Sequence, residues 1–265
     1  GCRRGYTSIN VVSDHECLRV RPGMEIAASR LETRRFAAMM GATTEWNKIE
    51  GFTYNPLTNQ AYMASSQIRY GMEDNRRMGR RNDRYDEGGS NDIRLPYNPC
   101  GCVYEMDLDA NWFLTRMDAL ICGSPGSSIP GNECSTRGLA NPDNLAMIPE
   151  HNGLIIGEDT SKHENDVIWY YDLETRDLQR IVSTPYGSET TSPYYYPDIN
   201  GWSYIMAVIQ HPYGESDQDK IQEPDNTGRD AYFGYIGPLP AVGSNVRSQS
   251  ALVPGLAPAP APEPP

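Results

Sequence analysis

Positive charge is what this chain has little of. Its 23 Lys and Arg stand against 35 Asp and Glu, a formal net charge of -12, whereas a nucleic-acid partner needs a basic footprint on the protein. Arginines do gather at Arg76, Arg77, Arg80, Arg81 and Arg84, but Asp74, Asp83, Asp86 and Glu87 are interleaved with them. That mixture reads as a solvated loop rather than a phosphate-binding patch. Long apolar runs are missing too, and none approaches the roughly 18 residues that span a bilayer. A signal-peptide pattern is also lacking and the chain starts at Gly1, which reads as a processed, trimmed or partial product.

No Cys-x-x-Cys pair occurs and the four histidines are scattered, which argues against a structural zinc site. The six cysteines are Cys2, Cys17, Cys100, Cys102, Cys122 and Cys134. An even count in a loop-rich chain predicts up to three disulfides among about fifteen possible pairings. Cys100 and Cys102 are not expected to bond each other, because residues two apart on a strand splay along one face. Disulfides imply an oxidising compartment (extracellular, periplasmic or an organelle lumen), with a free-thiol cytosolic protein as the alternative.

The 24 glycines and 21 prolines suit many short strands joined by turns. One helix is expected over residues 22–41: Pro22 fits its first turn, Gly41 the position past its end, and Met24, Ala27, Ala28, Leu31 and Ala38 make an apolar stripe. Strands follow. Residues 49–66 supply two, and a charged loop of some twenty-five residues then intervenes, long enough to be functional or partner-binding. Residues 101–118 form a hairpin turning at Asp109-Ala110-Asn111, residues 143–159 and 166–183 a four-strand unit, residues 187–211 another pair, and Tyr232–Ile236 a last strand.

A positional repeat runs through these strands. Asp143 stands six residues before Pro149, and Glu50 six before Pro56. Six residues beyond each proline, Ile155 and Tyr62 open a second apolar run; a looser copy sets Glu189 eight residues before Pro197. Even offsets keep each acid on one face of its strand. Strand, turn and strand repeated at this size is how β-propeller blades look in sequence. The expectation is an all-β fold of about three propeller blades, an incomplete ring, with one N-terminal helix. Propellers close with four or more blades, so the chain reads as part of a larger one. Three regions follow: residues 1–45 with the helix, 46–237 with the blades, and a proline-rich tail, 238–265. Alone, such a tail is disordered or polyproline-like; an ordered one needs a surface to lie on, and another protein chain is the expected source.

First strands of blades line a propeller's channel, so Glu50, Asp143 and Glu189 are expected to approach one another at one mouth. Converging carboxylates repel unless protonated or bridged by a cation, and hard cations prefer oxygen ligands. Asn144 adds a carboxamide oxygen of the kind calcium accepts. The plainer reading is that these acids cap blade turns and meet water.

Several motifs stand in the order found in PhoX-type alkaline phosphatases: Glu45-Trp46-Asn47-Lys48-Ile49-Glu50-Gly51, Asn141-Pro142-Asp143-Asn144-Leu145, Gly157-Glu158-Asp159, and Val208-Ile209-Gln210-His211-Pro212. The stretch Ile93-Arg94-Leu95-Pro96-Tyr97-Asn98-Pro99-Cys100-Gly101-Cys102 resembles cyanobacterial and algal members. The resemblance runs from about Cys17 to Gly214 and covers only the C-terminal part of the family's pattern. It implies a propeller and phosphomonoester hydrolysis at an iron and calcium cluster. Glu50 then matches a metal ligand, Lys48 the catalytic cation facing the phosphate, and Asp143 and Asn144 an acid–amide ligand pair. Glu189 matches more loosely, since Ser188 precedes it where an amide is expected; His211 sits in a matching motif without an assigned role. The family's Thr-Cys-Glu-Glu-like motif, which carries its iron-ligating cysteine, is absent from this sequence.

Two functions follow. One is a non-catalytic propeller-like structural or docking subunit of a larger assembly, derived from such a phosphatase and binding calcium. The other is a metal-dependent phosphomonoesterase of which this chain is the C-terminal half, with iron held only where the N-terminal half is present. A binding module for glycans or peptides is a third class, because propellers host unrelated functions.

Overall fold

The computed structural model describes residues 1–11, 14–73, 76–77, 80–81, 92–214 and 230–241. An N-terminal hairpin, β1 (Thr7–Val11) and β2 (Asp14–Leu18), is stapled by the Cys2–Cys17 disulfide. Two short helices follow, α1 (Glu25–Leu31) and α2 (Thr33–Met39). The single helix expected over residues 22–41 is therefore broken, at Glu32, whose φ of -127° and ψ of 42° leave the helical region. Hydroxyls compete with the backbone at this point: Ser29 Oγ donates to the Ile26 carbonyl at 2.8 Å and Thr33 Oγ1 to that of Ser29 at 2.9 Å. The C-terminal end is as expected. Gly41, at φ 92°, lets its own N–H and that of Ala42 reach back to the carbonyls of Ala38 and Ala37. Neither helix buries a residue, so the apolar stripe does not pack on the blades.

Three antiparallel sheets make the body. The first is β3 (Ile49–Asn55), β4 (Gln60–Ser65), β7 (Cys102–Leu108) and β8 (Leu114–Cys122), paired in that order. The second runs β11 (Pro142–Ile148), β12 (Gly153–Glu158), β13 (Asn165–Asp172), β14 (Leu178–Tyr186). The third has three strands, β15 (Glu189–Ile199), β16 (Trp202–Gln210) and β17 (Tyr232–Pro240). Two-residue strands β5 (Arg76–Arg77) and β6 (Arg80–Arg81) pair beyond β4, and β9 (Pro125–Ile129) pairs with β10 (Asn132–Cys134) after β8. This is the incomplete, propeller-like all-β fold that the repeat predicts. The strand Tyr232–Ile236 and the 187–211 pair, expected as separate pieces, are one sheet.

Period-two alternation on β11 explains how the sheets stack. Leu145 and Met147 point one way, into a core with Tyr62, Ala64, Val103, Leu154, Ile156 and Trp169. Ala146 and Ile148 point the other way, joining Ile155, Ile168 and Ile205. The second sheet is thus sandwiched, and β11 touches both β3 and β15, which brings the first strands of the three sheets side by side. The far side of the first sheet is closed by the chain itself. Ile68 and Met72, with Ile93 and Leu95, cover Cys102 and Tyr104 of β7.

All six cysteines are bonded: Cys2–Cys17, Cys100–Cys134 and Cys102–Cys122. Cys100 and Cys102 take different partners, as their splay requires, and Cys102 and Cys122 face each other across the β7–β8 pair. Three disulfides fit an oxidising, secreted compartment. No helix among the described residues is long and apolar enough to cross a membrane. The tail beyond Ala241 and the expectation that it lies on another chain fall outside the described residues, as does most of the arginine-rich loop.

Candidate metal-binding site

Four carboxylates gather where the first strands of the sheets begin. Asp143 opens β11 and is 7% exposed. Its carboxylate, that of Asp159 just after β12, and that of Glu189 at the start of β15 lie within 4.8 Å of one another. Glu50 of β3 stands outside that triad, but its charge acts on Asp143.

Close main-chain approach builds the site. Gly51 follows Glu50, and a Cβ there would fall 2.2 Å from the Asp143 carbonyl oxygen and 2.7 Å from the Leu145 nitrogen. Only glycine lets β3 close on β11. Gly157 plays the same part between β12 and β15, where a Cβ would sit 2.8 Å from the Thr190 carbonyl oxygen. Thr190 Oγ1 then clips the two strands, accepting from the Glu158 N–H at 2.7 Å and donating to the Glu158 carbonyl at 3.1 Å. That clip sets Asp159 beside Glu189. Gly51→Ala is therefore expected to lower unfolding free energy by about 2 kcal/mol, read by denaturant titration. A variant as stable as the parent would mean that β3 and β11 have room to part.

Two neighbours act as anchors. Asn141, at φ 43°, donates to the Pro99 carbonyl at 2.7 Å and to that of Ser66, while Thr160 Oγ1 donates to its Oδ1 at 2.6 Å. Its carbonyl accepts from the Asp159 N–H at 3.3 Å, so one residue holds both Asp143 and Asp159 in place. Glu158 is wholly buried and points away from the triad. It accepts from the Ala140 N–H at 2.8 Å, the Val167 N–H at 3.0 Å and Trp169 Nε1 at 2.7 Å, and pairs with His163 at 3.0 Å.

Asn144 Nδ2 donates to Asp143 Oδ1, and Asn144 Oδ1 accepts from the Ser192 N–H at 2.6 Å. Its oxygen, the atom expected to meet a cation, thus spends one of its two lone pairs on the main chain. Glu189 accepts from Gln210 Nε2 at 2.8 Å and is 2.9 Å from His211 Nε2. His211, without a role in the sequence motif, thus orients Glu189 together with Gln210. Lys48 Nζ lies 3.6 Å from Glu50 Oε1, and Lys48, Ser192 and His211 all have positive φ, at 50°, 52° and 32°. Strained backbone gathers at this mouth, a pattern common at functional sites.

Electrostatics follow the geometry. Burial pushes the Asp143 carboxyl up to about 7, helped by the charges of Glu50, Asp159 and Glu189 and opposed by Lys48. Three acids around a buried fourth, with one ammonium nearby, form a negative pocket of oxygen donors. Such a set fits a hard cation such as calcium. It does not fit a thiolate-held iron, since every cysteine of this chain is in a disulfide.

Asp159 is the member that sequence reasoning left unassigned. The strand-opening rule looks at the first strands of blades, and Asp159 follows a second strand; the signal was the Gly157-Glu158-Asp159 run itself.

No protein-family model matches the chain, and no curated protein matches it. Among solved structures, Pseudomonas fluorescens PhoX in complex with vanadate, a transition-state analogue, is similar at 18% identity and a TM-score of 0.49. The match covers 74% of this chain and 34% of that one, so this chain spans about a third of that structure's length.

Proposed function

We propose that the chain is a calcium-binding propeller segment acting as a structural or docking part of a larger assembly, without catalysis of its own. The carrying observation is the meeting of Asp143, Asp159 and Glu189 within 4.8 Å, one of them buried. A dication there would take up the mutual repulsion of the carboxylates and tie the second sheet to the third. Three disulfides favour an extracellular, periplasmic or luminal setting.

Calorimetric titration of the full chain with calcium at pH 8 tests this. Binding is expected, weakened at least tenfold by Glu189→Gln or by Asp159→Asn, and weakened again at pH 6, where Asp143 takes up a proton in competition. Heat changes identical in the parent and in both variants would sink the reading.

A second reading rests on Lys48, whose ammonium stands beside the acids where the motif resemblance implies a phosphate-facing cation. The chain would then be the C-terminal half of a metal-dependent phosphomonoesterase. Lys48 would hold a phosphate oxygen, and the acids would hold the cations that polarise the ester.

A further inference from the structure

Each of the three sheets ends outward on an edge strand, and the three edges are not alike. β8 carries the ion pair of Arg116 with Asp118, and β14 carries Arg180 and, near its end, Pro185. Charges and prolines of this kind keep an edge from pairing with another chain. β17 has no charged residue, and its prolines, Pro238 and Pro240, are confined to its last three positions. Its first five residues, Tyr232-Phe233-Gly234-Tyr235-Ile236, are left undefended. The sheet is also shorter by one strand than its neighbours. The first and second have four strands and the third stops at three, and among the described residues no strand pairs with the outer side of β17.

This edge is matched to itself. Reading from Gly234 in either direction gives an aromatic residue and then a large apolar one. An antiparallel copy centred on Gly234 would set Phe233 opposite the second copy's Tyr235, twice, and Tyr232 opposite its Ile236, twice. Aromatic and apolar pairs directly across are favourable in antiparallel sheets, and no like charges meet. Phe233 is 71% exposed, Tyr235 65% and Tyr232 51%, so their surface is free to be covered. Side chains alternate along the strand. Phe233 and Tyr235 therefore share one face, and Tyr232 and Ile236 the other, where Ile236 packs towards the second sheet. Gly234 suits the centre of such a pairing. A Cβ there would meet nothing within 4 Å, so bare main chain lies open on that second face. Tyr232 of each copy would lie diagonally across the other's Gly234 and cover it.

We propose that β17 pairs with β17 of a second copy of this chain, antiparallel about Gly234, so that two three-stranded sheets become one of six strands. A two-fold pairing closes on itself and uses both edges. Five residues a side make a contact at the low end of interface size, so the pairing follows protein concentration. It does not draw on the calcium site, because Glu189 lies on β15, at the other edge of the sheet.

Sedimentation velocity of the full chain, from low to high micromolar concentration, tests this. A dimer is expected to grow with concentration, equally in calcium and in chelator. Phe233→Lys and Tyr235→Glu should each weaken it by about tenfold, since each lays a charge against an aromatic ring at two places. Both side chains are exposed, so circular dichroism and unfolding midpoints should stay those of the parent. A chain carrying both substitutions should dimerise again, because the introduced lysine then faces the introduced glutamate twice. Mixing the two single variants should give a heterodimer for the same reason. A parent that stays monomeric throughout overturns the proposal. A dimer that both single variants leave intact also overturns it, assigning the contact to another surface. A double variant as weak as either single one overturns the register about Gly234 and the proposal with it.

Discussion

Purified on its own, the 265-residue chain is expected to release no phosphate from a phosphomonoester, with calcium and iron added or not. The charges acting on Asp143 are those of three carboxylates and the Lys48 ammonium. A phosphate dianion entering that pocket meets net repulsion until cations are bound. Two-metal hydrolysis works by clamping the attacking and leaving oxygens between cations. Here the described acids all come from one side, the mouth formed by β3, β11, β12 and β15. No thiolate is left to hold a softer metal. Calcium can fill half of a clamp in this arrangement, and half a clamp does not hold the phosphate in line. Steady-state assays with a chromogenic phosphomonoester at pH 6 to 10 check it. Turnover that vanishes on Asp143→Ala would overturn the non-catalytic reading and place the whole reaction in this chain.

How much of this was legible beforehand differs between fold and site. The equal offsets of Glu50 and Asp143 from their prolines are a backbone property. Strand, turn and strand of fixed length put equivalent residues at equivalent places, so the blades could be read from spacing; of the three acids expected to converge, Asp143 and Glu189 share the triad while Glu50, with the stricter offset, stands outside it. Asp159 could not be read from spacing, because its place depends on Gly157 and on the Thr190 clip between two sheets, contacts between residues more than thirty positions apart. Disulfide partners were hidden for a related reason. Cys102 finds Cys122 through the β7–β8 register, and register depends on the length of the turn as built rather than on any local motif. The break at Glu32 was local yet still missed. Apolar periodicity runs through the position, while the hydroxyls of Ser29 and Thr33, which compete for the same carbonyls, carry no periodic signal. Asn144 adds a contact that residue type did not signal: its oxygen accepts from the Ser192 N–H, which the third sheet supplies, and keeps one lone pair free of that bond.

Asp143→Asn is expected to make the metal-free chain more stable, which is unusual for a change at a buried and conspicuous residue. The folded carboxyl is pushed up to about 7 from an ordinary 3.8, and the unfolded chain restores the ordinary value. Between those two pH values the folded chain keeps a proton that the unfolded chain has lost, so stability falls as pH rises through the window. Below about pH 4 both states are protonated and the residue contributes no penalty. Above about pH 7 both are ionised and the penalty is complete, ~4 kcal/mol as an upper figure at 1.36 kcal/mol per pH unit. Asparagine removes the charge but keeps an oxygen for the Asn144 amide, so about 2 kcal/mol or more should be regained at pH 8. Thermal unfolding without metal, in chelator, from pH 4 to 8 measures it: the two proteins should coincide at pH 4 and separate steadily towards pH 8. Calcium should invert the order at pH 8, because the cation stabilises the ionised parent by mass action and has lost a ligand in the variant. A gap that does not change with pH would show that the folded chain does not hold the Asp143 carboxyl above its ordinary value. Parent and variant responding alike to calcium would show that Asp143 does not hold the ion.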